Sequence, residues 1–270
     1  MPVMVTGADQ GLGAAVADQL LASGGEVRTF LDATTVDDDT AGVLRSRGCK
    51  VALGELDDEG HLESALTQVH TVAHCGVGPL EDPAVLVLNA ATLASALLGA
   101  GVRRLVWVRD LAVGGSNPYL TAQDEIGTLF ADLPVETVTL ATAVRHGPAD
   151  QLTRLLAAGW VPPTEVDLET PHAPIHVDDV ARAVVAADRQ RTTVVDLHMR
   201  LGLVGPETMV LRDVLSRLRA PGAPAASRSA GTAPPWVADW LSHPAAGRPV
   251  GPSPMSIARG VTRLAGAAVS

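Results

Sequence analysis

Three glycines, one tyrosine and one acidic residue carry most of the chemistry this sequence offers. Gly7, Gly11 and Gly13 stand at spacing G-x-x-x-G-x-G, directly after the apolar run Val3-Met4-Val5 and directly before an apolar-faced helix over 14–21. A strand, a glycine turn and a helix start in that order make a cradle for phosphate. Gly7 turns the chain, Gly11 lets the backbone approach a pyrophosphate, and Gly13 lets the helix pack on the sheet. The helix N-terminus adds free N–H groups and a partial positive charge. Asp32 follows about 20 positions on, at the end of a second apolar run. A carboxylate there accepts hydrogen bonds from a ribose and repels a 2′-phosphate, which favours NAD over NADP. Tyr119 is the only tyrosine and a candidate general acid, with Gln123 four residues later in Tyr-x-x-x-Gln. The chain has no His-x-x-x-His or Cys-x-x-Cys metal spacing, no Walker lysine and no Gly-x-Ser-x-Gly turn.

The surrounding pattern supplies the elements that must position these groups. Strands are expected over 26–30, 50–53, 71–73, 104–108 and 135–140, with helices over 62–69, 84–100 and 121–130 between them. Alternation of this kind, with the glycine turn first, implies an α/β fold with a doubly wound parallel sheet of the Rossmann type. Ligands in such sheets sit beyond the carboxyl ends of the strands. Residues 1–150 are assigned to this core and 151–270 to a small C-terminal lobe interleaved with it, a strand over 193–197 returning to the sheet. Residues 220–235 are rich in Ala, Pro, Gly and Ser and read as a surface link. Short helices are expected at 236–241 and 256–265.

Composition narrows the function classes. With 270 residues, 47% of them apolar, the chain can bury a large core. A net charge of −10 argues against nucleic acid as a partner. No apolar run reaches membrane-spanning length and no signal-peptide pattern opens the chain, so a cytoplasmic location without membrane attachment is expected. Cys49 and Cys75 match no ligand spacing and fit a reduced compartment. Arginine is plentiful, but Lys50 is the only lysine.

Thr6-Gly7-Ala8-Asp9-Gln10-Gly11-Leu12-Gly13 resembles the T-G-x-x-x-G-x-G turn of the short-chain dehydrogenase/reductase superfamily. Pro174-Ile175-His176-Val177-Asp178-Asp179-Val180 resembles a stretch of its extended and atypical branches, which include NAD-dependent epimerase/dehydratase-like and NmrA-like proteins. The likeness runs over roughly residues 2–220. It implies NAD, with NADP less suited, held by Gly7, Asp9, Gln10, Gly11, Leu12 and Gly13 of the turn and by Asp32. Gly54-Glu55-Leu56-Asp57-Asp58 is similar to the family's G-D-L-x-D segment, which places Glu55 and Leu56 at the adenine, while Asp58 caps the next helix. Cys75 and Gly76 lie where the family's backbone passes beside the cofactor, and Gly78 keeps the same opening. His74 reads as a strand-end residue.

The resemblance fails at the catalytic place. Relatives carry serines where this chain has Arg109 and Asp110, and a lysine where it has Gln123. Gln123 can hydrogen-bond a ribose, but it has no charge to draw a phenol down from its reference pKa of about 10. After the sixth strand, where relatives read Arg-Pro, this chain has Ala141-Thr142-Ala143-Val144-Arg145-His146-Gly147-Pro148, and Arg145 and His146 are expected at the cleft mouth. Two readings follow. One is an NAD-dependent oxidoreductase or epimerase-like enzyme with a degenerate catalytic set, acting on a small carbonyl or alcohol substrate through Tyr119. The other is a dinucleotide-binding redox sensor or regulatory interaction protein without turnover. Oligomeric state is left open, a dimer included.

Overall fold

A computed structural model describes residues 1–76, 78–111, 116–148, 150–190, 197–218 and 233–244. In chain order the elements are β1 (Val3–Thr6), α1 (Gly11–Ala22), β2 (Val27–Asp32), α2 (Asp38–Ser46), β3 (Lys50–Gly54), α3 (Glu59–Leu66) and β4 (Thr71–His74). Then follow α4 (Pro83–Gly99), β5 (Arg104–Asp110), α5 (Pro118–Ala131), β6 (Glu136–Thr142), β7 (Arg145–His146) and α6 (Gln151–Ala157). The C-terminal part holds β8 (Pro171–His172), β9 (Ile175–His176), α7 (Val177–Arg189), β10 (His198–Leu203), β11 (Met209–Val210), α8 (Leu211–Leu218) and α9 (Pro235–Ser242).

Seven strands form one parallel sheet in the order β10-β6-β5-β4-β1-β2-β3. The order reverses between β1 and β4, so a crevice opens beyond their carboxyl ends, as expected for a doubly wound sheet. The returning strand is β10 at 198–203, paired with β6; residues 193–196 of the expected strand lie outside the described residues. So do the helix expected at 256–265 and most of the link at 220–235.

Strands buried on both faces explain the continuous apolar runs that marked them in the sequence. On one face α1 and α7 lie together over Val5, Val106, Val108, Val138 and Leu140. On the other, α3, α4 and α5 cover Met4, Val72, Leu105 and Trp107. Leu97 of α4 is fully buried there, and such a side chain contributes about 1.5–3 kcal/mol relative to an exposed one. Helix starts follow their sequence signals. Asp37, Asp58, Asp82, Asn117 and Asp150 each accept a hydrogen bond from a first-turn amide of α2, α3, α4, α5 and α6. Arg104 ties α7 to the sheet: its Nη1 donates to the carbonyls of Ala187 and Asp188 at 2.9 and 2.7 Å, while Nη2 donates to both oxygens of Glu136. A cation at those terminal carbonyls also complements the helix dipole.

Candidate functional site

The glycine turn between β1 and α1 has the geometry its spacing requires. Gly7 has φ +70°, and a Cβ there would stand 2.4 Å from the Gly76 Cα; one on Gly13 would stand 2.0 Å from the Gly7 carbonyl oxygen. Neither position admits a side chain. The cap residue of α1 is Gln10, whose side chain makes no capping bond. Unlike α2 to α6, α1 thus presents its first-turn amides to an outside acceptor, and its dipole favours an anion there.

Beside this turn lies a cavity of about 420 Å³, lined by Gly7, Asp9, Gln10, Asp32, Leu56 and Gly76 among others, with α4 as its far wall. Asp32 stands at the end of β2, its Oδ1 accepting from the backbone N–H and the hydroxyl of Thr34 at 2.8 and 2.6 Å, which fixes the carboxylate at the cavity. Leu56 lines the cavity wall. Glu55 is exposed and is not among the residues that line this cavity. Asp9 has its carboxyl pushed above the usual range, first by burial and then by the neighbouring charges of Asp32 and Asp37. His74 accepts or donates at 2.7 Å to the Thr6 hydroxyl, and burial holds its pKa down at about 4. It is a neutral strand-end residue, the structural role expected of it.

Toward β5 the crevice narrows to about 30 Å³ between the glycine turn, Cys75, Arg145 and Trp240. Gln151 of α6 fills it. Its Nε2 donates to Gln10 Oε1 at 2.9 Å and to Glu81 Oε1 at 3.0 Å, while Gln10 Nε2 donates to the same Glu81 oxygen at 3.2 Å. A Cβ on Gly78 would stand 2.0 Å from Gln151 Oε1, so the opening expected at Gly78 is occupied by this side chain. Cys75 is buried at the same narrow end, and burial pushes its thiol up to about 12, which makes it inert.

The catalytic place is a closed polar network. Tyr119 is fully buried, and its hydroxyl donates to Asp110 Oδ2 at 2.5 Å. Arg145 Nη1 lies 3.0 Å from Asp110 Oδ1 and donates to the Thr142 hydroxyl at 3.0 Å. Gln123 accepts from the Asp110 backbone N–H at 2.8 Å and has no exposed surface. Burial and the Asp110 charge together raise the Tyr119 phenol well above its ordinary value. Burial opposes the charge on Arg145, but Asp110, Tyr119 and Asp150 around it more than compensate, so the guanidinium stays protonated. The structure differs here from the accessible phenol and ribose-binding amide expected. Tyr119 is fully buried and bonded to a carboxylate, and Gln123 is fully buried and bonded to the Asp110 amide, while Arg145, paired with Asp110, also lines the narrow end of the crevice. His146 remains half-buried at the edge, its ring 5.2 Å from that of His176. Trp160 is a core residue.

Sequence reasoning missed Gln151, because an α6 residue 141 positions from Gln10 carries no local signal. It noted Asp110 and Arg145 separately as departures from the family, but their pairing crosses two strands and appears only in the folded chain.

The NmrA-like family model matches residues 2–114, from β1 through β5 and the residues after it. Among curated proteins none matches the chain in sequence. The fold is shared with solved structures of low identity. MoeE5 in complex with UDP-glucuronic acid and NAD aligns with a TM-score of 0.66 at 21% identity, over 86% of this chain and 88% of that one. UDP-glucose 4-epimerase from Thermus thermophilus in complex with NAD aligns at 0.65 and 19%, over 98% and 99%. A dTDP-glucose 4,6-dehydratase double mutant from Streptomyces venezuelae, with NAD bound, aligns at 0.67 and 17%, over 98% and 96%. Family match and shared fold agree with the superfamily resemblance drawn from the glycine turn. Among the described residues no helix is long and apolar enough to cross a membrane, and no three His, Cys, Asp or Glu cluster as a metal site.

Proposed function

We propose that the chain binds an NAD-type dinucleotide in the Gly7–Gly13 cradle and reads its presence without using Tyr119 as a proton donor. The uncapped α1 N-terminus would take the pyrophosphate, and Asp32 and Leu56 the adenosine half. The cofactor would supply a hydride-accepting ring, but its place at the β5 end is where Gln151, Gln10 and Glu81 meet. The reading is carried by the Tyr119–Asp110–Arg145 network. A phenol whose hydroxyl donates a hydrogen bond to a carboxylate, fully buried and with its pKa raised, is poorly placed to protonate a substrate oxygen near neutral pH. The solved structures of like fold that hold NAD support the choice of cofactor.

The deciding experiment titrates the purified chain with NAD, NADH, NADP, NADPH and ADP-ribose by calorimetry, alongside Asp32→Ala. A turnover assay on a panel of aldehydes, quinones and nucleotide sugars accompanies it. Micromolar NAD or NADH binding, weakened in Asp32→Ala and without turnover, supports the reading. Absence of binding for all five sinks it. Turnover lost in Tyr119→Phe returns the chain to the enzymatic alternative, an epimerase-like or oxidoreductase activity on a carbonyl or alcohol.

A further inference from the structure

A second cavity, of about 450 Å³, lies away from the cradle, between α5 and the outer strands β5, β6 and β10. Because α5 runs antiparallel to the strands, its C-terminal half, from Asp124 to Asp132, lies toward the end of the sheet opposite the crevice. The sheet alternates here in a way that buried parallel strands do not need. Val138, Leu140 and Leu201 face the α1–α7 core, whereas Thr137, Thr139, His198 and Arg200 line the cavity on the other side, with Met199 at its edge. The register places Arg200 beside Thr139, and Thr139 beside Trp107. A parallel sheet covered on both faces would carry apolar residues at these positions.

Arg109 is buried at the floor, stacked 5.5 Å over the Trp107 ring and paired with Asp124 at 2.7 Å. Arg200 stands at the exposed side, and its charge is disfavoured by partial burial and by the nearby Arg109. The Trp107 indole N–H is buried without an acceptor among the described residues. An unmet donor of this kind costs about 1–3 kcal/mol and makes the indole N–H beside the cavity a sensitive reporter of changes there. Asp124 and Asp132 are both exposed at the rim, so a multiply charged phosphate fits less well than a single carboxylate. The volume is in the range of about 300–1,000 Å³ typical of small-molecule sites.

We propose that this cavity binds a small organic acid, its carboxylate received between Arg200 and Arg109 along the Thr139 row, at a site separate from the dinucleotide cradle. The guanidinium fork suits a planar carboxylate, and Arg200 has no carboxylate partner among the described residues, whereas Arg109 is already paired with Asp124.

The test follows the Trp107 indole N–H in ¹⁵N-labelled full chain, its resonance identified by its loss in Trp107→Phe. Acetate, succinate and inorganic phosphate are titrated in turn. A saturable shift with acetate or succinate, at least about tenfold weaker in the surface variant Arg200→Ala, supports the site. No saturable movement with either carboxylate, or an unchanged titration in Arg200→Ala, overturns it. Phosphate binding more tightly than both carboxylates overturns the ligand class.

Discussion

Replacing Asp110 by Asn removes the charge that holds the buried network together while keeping the shape of the side chain. Asp110 faces Tyr119 at 2.5 Å and Arg145 at 3.0 Å, and all three residues are at least nine-tenths buried. The variant leaves the Arg145 guanidinium in the interior with Asp110's compensating charge removed and the charge of Asp150 still nearby. Removing one partner of a buried ion pair costs about 3–5 kcal/mol, a large share of the roughly 5–15 kcal/mol that a domain has. Tyr119→Phe deletes one hydrogen bond to a charged acceptor and should cost about 1.5–3 kcal/mol. If the pair interacts as the distances imply, the double variant loses less than the two single losses combined, by about 0.5–3 kcal/mol. Urea unfolding measures this, as a fall in midpoint with little change in slope. A loss below about 1 kcal/mol for Asp110→Asn, or fully additive losses, would refute the claim that Tyr119 is held by a structural ion pair.

Gly13→Ala places a methyl group 2.0 Å from the Gly7 carbonyl, so we expect dinucleotide binding to be abolished together with a lowered midpoint, by calorimetry and thermal melting. Gln151→Ala clears the narrow end beside Gly78 and should tighten NADH more than ADP-ribose, read as the ratio of their dissociation constants; an unchanged ratio argues against the blocking role. Stability should fall on acidification because of His74. Burial lowers its folded pKa from 6.5 to about 4, so both states are neutral above pH 6.5 and the unfolded chain takes up the proton first below it. At about 1.4 kcal/mol per pH unit, that gap corresponds to about 3 kcal/mol lost between pH 6.5 and 4, and His74→Asn should flatten the profile there.

The cradle was legible in the sequence because its physics is local. Gly7, Gly11 and Gly13 lie within seven residues, and a positive φ or a missing Cβ leaves a mark at the position that needs it. Asp32 was legible for a related reason, since the length of one βαβ unit sets its distance from the turn. The strands announced themselves by apolar runs, which burial on both faces demands. Glu55 stands next to Leu56 in sequence yet outside the cavity lining, a difference that no pattern in the chain records. Tyr119 and Gln123 looked like half of a catalytic set because their spacing on α5 is right. Their surroundings come instead from β5, β6 and the residues after it, brought together by strand order. Whether a phenol meets a substrate or a carboxylate depends on Asp110 and Arg145, 35 positions apart in sequence and 3.0 Å apart in space. Sequence by itself determined the fold and the glycine turn at the head of α1; only tertiary packing decided which charges are paired and which end of the crevice stays open.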